Sequence, residues 1–198
     1  MRDQRRGSKR RRMASVLRSF RSHKNGFMIL SLSLAAFLHG APLMQAQAQA
    51  GRVGHVTGLT VPRFVSLKAN RARLRAGPGV HYPIIWEYLA HDIPLEITAE
   101  YGNWRKVRDW TSAEGWMYHT LLSGRRTAIV SPWGKSLIAL RSAATNKSDA
   151  VANLEPGVFV SVKSCNGNWC NIVIDAPKLG GYVEQVGLWG VYPGEVFR

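Results

Sequence analysis

Residues 74–83 read L-R-A-G-P-G-V-H-Y-P, residues 93–107 read I-P-L-E-I-T-A-E-Y-G-N-W-R-K-V, and residues 114–122 close the stretch as E-G-W-M-Y-H-T-L-L. A weaker copy follows, with A-L-R at Ala139 to Arg141, N-L-E-P-G-V-F-V-S-V-K-S-C-N-G-N-W-C over 153–170 and G-G-Y-V-E-Q-V-G-L over 180–188. The G-N-W triplets set the register, Gly102 against Gly167. In that register Leu89, Ile93, Leu95 and Ile97 face Leu154, Val158, Val160 and Val162. The Leu-Arg pairs and the terminal Leu122 and Leu188 are offset by one further position, so the copies differ by single loop residues. Self-similarity over this length means two tandem modules, and what remains is address label and linker.

Each module reads as short strands joined by tight turns. Ile93, Leu95 and Ile97 alternate with Pro94, Glu96 and Thr98, the period of a half-buried strand. Phe64 to Leu67, Asn70 to Arg75, Ile84 to Leu89, Trp104 to Trp110 and Gly115 to His119 are the other strands of copy one, and Gly77, Pro78, Gly79 and Pro83 break the chain between two of them. No helical period is present, so the expected class is all-β, two small barrels in tandem. The barrels are expected over residues 62–124 and 127–190. The Gly-rich stretch 51–61 reads as a flexible leader. The tail over 191–198 is too aromatic for a disordered end and is expected to pack back onto a barrel.

L-R-A-G-P-G-x-x-Y-P, G-N-W-R-K-V and the G-W before Leu121-Leu122 together resemble a bacterial SH3-like domain, strongly over 62–122 and moderately over 127–190. Such domains typically read N-V-R-S-G-P-S, G-W-x-K-V and G-W-V. The resemblance implies a small SH3-like barrel, export, and binding to envelope material such as peptidoglycan. Copy two departs from the pattern over 142–149, where S-A-A-T-N-K-S-D replaces A-G-P-G-V-H-Y-P.

Outward from the modules, the head of the chain is an address. A basic segment precedes the apolar run Phe27 to Leu38, and A-Q-A-Q-A follows. This is the order of a secretory signal peptide over residues 1–50, with cleavage near Ala50 and with Met1 or Met13 as the start. The run is short for a bilayer span, so no permanent membrane anchor is expected after cleavage. The formal charge of +15 is concentrated there. Residues 51–198 hold 17 bases against 11 acids, a net of +6, which with export argues against nucleic acid as a partner.

Cys165 and Cys170 flank N-G-N-W, a connection that sets them opposite each other in a hairpin. In an oxidising compartment they are expected to form a disulfide. A zinc site lacks companion ligands at suitable spacing. The equivalent residues of copy one, Glu100 and Arg105, are expected to make an exposed, weak ion pair.

Trp104 and Trp169 recur at equivalent places, as do Trp116 and Tyr182, and recurrence is expected for packing. Arg75 and Arg141 recur as well, which favours an ion pair or backbone contact. Tyr82, Trp86, Tyr88 and Trp110 have no aromatic partner in copy two and are the candidate ligand platform, with Arg71 and Arg73 supplying charge. The copy-two loop carries no ring and no stiff turn, so the site is expected on copy one.

The sequence contains no G-x-S-x-G elbow, H-E-x-x-H, P-loop or dinucleotide fingerprint, and two barrels fill the exported part. The expectation is therefore a periplasmic or secreted, non-catalytic protein that needs no cofactor or metal. Its partner would be a cell-wall polymer or an envelope protein. The alternative is a periplasmic assembly factor that captures an extended peptide.

Overall fold

The computed structural model describes residues 51–198, and the expected signal peptide lies outside them. Apart from two three-residue 3-10 turns, the regular structure of the described residues is all strand. A hairpin of β1 (Arg52–Val53) and β2 (Thr60–Val61) comes first. Barrel 1 follows with β3 (Arg63–Leu67), β4 (Ala72–Arg75), β5 (Ile84–Tyr88), β6 (Pro94–Tyr101), β7 (Trp104–Arg108), β8 (Glu114–Tyr118), a turn at His119–Leu121, and β9 (Leu122–Ser123).

Barrel 2 repeats the series as β10 (Thr127–Val130), β11 (Ile138–Arg141), β12 (Ala150–Leu154), β13 (Phe159–Asn166), β14 (Trp169–Ile174), β15 (Leu179–Glu184), a turn at Gln185–Gly187, and β16 (Leu188–Trp189). The sheet orders are β5-β4-β8-β7-β6-β3-β9 and β12-β11-β15-β14-β13-β10-β16, the same topology twice. The tail adds β17 (Val196–Phe197) beside β13, and its Val191 enters the core of barrel 2.

The two cores are built from equivalent positions. Leu74, Leu95, Ile97, Val107 and Met117 fill barrel 1, and Leu140, Val160, Val162, Ile172 and Val183 fill barrel 2. The recurrent glycine of the G-W and G-Y pairs has a steric cause. A Cβ on Gly115 would lie 2.8 Å from the Arg75 carbonyl, and one on Gly181 would lie 2.5 Å from the Arg141 carbonyl. Only glycine lets β8 and β15 approach β4 and β11 this closely.

Four expectations change. The 51–61 stretch is a folded hairpin, because Glu100 accepts hydrogen bonds from the N–H groups of Val56 and Thr57 and from the Thr57 hydroxyl. The Glu100–Arg105 pair forms across the hairpin, but it is buried and belongs to a cluster that also holds Arg63. Strand β6 is not half-buried, since Pro94 and Glu96 are covered as well as Leu95 and Ile97. Its outer face meets the other barrel, where the Tyr192 hydroxyl donates to Glu96 at 2.9 Å. Last, Tyr88 takes the place of Leu154, each paired across to the equivalent residues Ala72 and Ile138, while Leu89 is exposed. One single-residue offset therefore falls in the loop after β5, and the other falls between β7 and β8, where Val107 and Gly115 match Ile172 and Gly181.

The barrels share an aromatic seam. Phe64 lies 5.1 Å from Trp189 and 4.6 Å from Tyr192 between ring centroids, and Trp110 lies 5.6 Å from Phe159. Arg126, in the linker, grips Glu195 with both ends of its guanidinium at 2.7 and 2.8 Å and lies 4.4 Å from the Phe197 ring centre. Burial opposes the charge on Glu195. The bonds from Arg126 and the Tyr192 N–H outweigh that cost and hold the carboxyl below its usual range.

Candidate functional site

Arg75 and Arg141 do the same work in both barrels. Each donates from Nη1 to a carbonyl seven residues ahead, Arg75 to Tyr82 at 2.8 Å and Arg141 to Ser148 at 2.7 Å. Each thereby clamps the loop between the first two strands of the long meander, the backbone role expected of a recurrent arginine. With the loop pinned, a groove opens between it, the hairpin tip and the 3-10 turn.

In barrel 1 this groove has a volume of 360 Å³, and Arg71, Arg73, Val80, Trp104, Tyr118 and Leu121 line it. Trp104 is half-buried and meets Tyr118 edge-on at 5.5 Å, so a ring face and a phenol stand beside two exposed guanidinium groups. Glu87 partly balances that charge, 3.2 Å from Arg73 and 3.6 Å from Arg71. Two further bases of this barrel are committed to acids on neighbouring strands, Lys106 to Glu114 at 2.7 Å and Arg108 to Glu96 at 2.9 Å. Planar surface flanked by fork-shaped cations suits a ligand with apolar or sugar faces and carboxylates.

The six candidates of the sequence do not form one cluster. Arg71 and Arg73 stand together in the groove. Tyr82 packs over Gly77 and His81 within the clamped loop. Trp86 pairs across to Leu74 while Glu87 pairs to Arg73, so Trp86 projects from the opposite face of β5. It is 56% exposed, beside the exposed Ile84 and Ile85 on an edge strand. Trp110 is in the seam against Phe159 and Trp189. Tyr88 is buried in the core and so takes no place on an exposed platform: Asp109, also buried and just before Trp110, accepts from its hydroxyl at 2.9 Å and from Thr111 and Ala113. Burial, then the nearby Asp109 carboxylate, push the Tyr88 hydroxyl above its usual range. This contact ties edge strand β5 to the β7–β8 turn.

Trp104, Tyr118 and Val80 went unnoticed as site residues. Trp104 recurs in copy two, and recurrence fits a repeated groove as well as it fits packing. Barrel 2 does have the equivalent groove, 330 Å³ in volume, with Trp169 in the place of Trp104. The 142–149 loop carries no ring, as its sequence shows, and the ring of this groove comes from the hairpin tip. Among the described residues no group of three or more His, Cys, Asp or Glu is placed to hold a metal ion.

The family model described as "Bacterial SH3 domain" matches the chain twice, over residues 68–124 and 134–190. No curated protein matches it. Among solved structures it is similar to NlpC2 from Trichomonas vaginalis, at 13% identity and a TM-score of 0.30, covering 65% of this chain and 48% of that one. For NlpC1 from the same organism the values are 13% and 0.30, with 69% and 48% covered. For an NlpC/P60 family protein from Bacillus cereus they are 10% and 0.29, with 64% and 55% covered. The chain thus matches about half the length of each of these structures. With two matches that together span more than half of its residues, the chain belongs to the bacterial SH3 domain family.

Proposed function

We propose that the protein is an exported, non-catalytic binding protein of the cell envelope, and that its barrel 1 groove takes a carboxylate-bearing wall polymer such as peptidoglycan. The observation that carries this reading is the pairing of Trp104 and Tyr118 with Arg71 and Arg73 around one open groove. Peptidoglycan offers sugar rings to the first pair and peptide carboxylates to the second. Membership of a family of binding domains supports it, and so does the Cys165–Cys170 disulfide, which fits an oxidising, extracytoplasmic setting. No helix among the described residues is long and apolar enough to cross a membrane.

Co-sedimentation with purified peptidoglycan tests the reading. The parent should pellet with the polymer, and Arg71→Ala with Arg73→Ala should weaken binding about 10- to 100-fold per lost bond, from ~1.5–3 kcal/mol for a charge-assisted hydrogen bond. Both side chains are more than half exposed, so the melting temperature should barely move. Trp86→Ala, also exposed, measures whether the far face of β5 extends the site. A parent that stays in the supernatant at every salt concentration ends the proposal.

A further inference from the structure

The equivalent groove of barrel 2 keeps its shape and inverts its chemistry. Position by position, Arg71 becomes Leu137, Arg73 becomes Ala139, and Tyr118 becomes Glu184. Two cations are gone and an anion has entered. Glu184 is exposed and makes no ion pair among the described residues. Arg141, the cation that remains, is committed to the Ser148 carbonyl. Around this rim stand Trp133, Leu137 and Val186, which are 63%, 57% and 76% exposed. Three large apolar side chains left in water about one groove mark a contact surface.

The loop that presents Trp133 is fixed before any partner arrives. Copy two has three more residues here than copy one, since Ser131 to Ser136 separate Val130 from Leu137 where Lys68 to Asn70 separate the equivalent Leu67 from Arg71. Ser131 is held at a φ of 35°, a conformation that a non-glycine residue adopts only when its surroundings enforce it. Its N–H donates to the Gly187 carbonyl at 2.8 Å, and its own carbonyl accepts from Gly134 at 3.0 Å. A Cβ on Gly134 would lie 2.5 Å from the Ser131 hydroxyl, so a larger residue there would have to turn that hydroxyl away. A wall held in place in this way loses little freedom on binding.

We infer that the barrel 2 groove is a second binding site, for an extended peptide segment that carries apolar side chains and a lysine or arginine. Leu137, Val186 and the Trp133 ring accept the apolar side chains, and Glu184 pairs with the cation. The same carboxylate repels the anionic polymer that suits barrel 1, so the charge inversion separates the two ligands. This inference does not depend on the envelope reading of barrel 1.

Two synthetic peptides test it, acetylated and amidated Gly-Leu-Lys-Leu-Pro-Leu-Lys-Gly and the same sequence with both lysines replaced by glutamate. Each is titrated into the full chain with its disulfide intact, and binding is read by calorimetry and by the tryptophan indole N–H shifts in NMR. The lysine peptide should bind at least tenfold more tightly than the glutamate peptide. Glu184→Lys should reverse that preference, and Trp133→Ala should weaken the lysine peptide about tenfold. Both positions are exposed, and unchanged melting temperatures exclude misfolding. Arg71→Ala with Arg73→Ala should leave peptide binding intact, which keeps this result separate from the fate of the barrel 1 reading. Equal binding of the two peptides, binding of neither, or a preference untouched by Glu184→Lys would overturn the inference. So would loss of peptidoglycan pelleting in Trp133→Ala, since the groove would then serve the polymer.

Discussion

Glu100 joins the N-terminal hairpin to barrel 1 through a single side chain. Its carboxylate is 1% exposed and takes bonds from Val56, Thr57 and Arg63, with Arg105 3.7 Å away. Burial opposes its charge, but the bonds from Thr57, Arg63 and the backbone win and hold it down at about 2 against a usual 4.5. A depressed carboxylate stabilises the fold fully above its unfolded value, and that stability is lost as pH falls from about 4.5 towards 2. Glu100→Gln should therefore cost about 3–5 kcal/mol near pH 7, since both arginines lose a buried partner. Urea midpoints of parent and variant should converge as the pH approaches 2, and a constant difference would refute the account. Hydrogen exchange should show the Val56 and Thr57 amides losing protection first, because their acceptor is the altered group.

At the scale of the element, the two hairpin tips solve one problem in two ways. Glu100 and Arg105 stand opposite each other on β6 and β7, as Cys165 and Cys170 do on β13 and β14 with Cα atoms 4.1 Å apart. Barrel 1 uses this place to dock the leading hairpin. Barrel 2 closes it covalently, with both sulfurs in the core cluster. So short a loop removes little entropy from the unfolded chain, and reduction should lower stability by only about 2 kcal/mol. Urea unfolding with and without a phosphine reductant measures this. Two free thiols found by alkylation and mass analysis of unreduced, exported protein would remove the bridge from the picture.

The whole molecule is held by its seam. Phe64, Trp110, Phe159, Trp189 and Tyr192 pack between the barrels, and Arg126 with Glu195 anchors the tail beside them. With this much apolar contact the barrels should unfold together, in one calorimetric transition. Trp110→Ala should cost about 2–3 kcal/mol, below the ~3–5 of a fully buried aromatic because Trp110 is only half-buried. It should also split the transition in two. A parent that already shows two transitions would mean that the seam does not couple the barrels.

The repeat, the alternating strands, the turn residues and the cysteine pair were legible without coordinates. Each is a local pattern, set by period, by backbone sterics or by residues close in sequence. That is why the all-β class, the two barrels and the disulfide follow from the chain alone. The fate of Glu96, Glu100, Trp104 and Trp110 was not legible, because each is decided by a partner far along the chain. Glu96 is covered by Tyr192, 96 positions away, and Glu100 binds Thr57, 43 positions away. A one-dimensional pattern that exposes every second residue cannot anticipate a second barrel closing over the outer face of β6. Likewise recurrence in sequence does not distinguish a tryptophan that packs from one that lines a groove. Only the folded loops, pinned by Arg75 and Arg141, put Trp104 and Trp169 beside open space, with cations around the first and apolar side chains and Glu184 around the second.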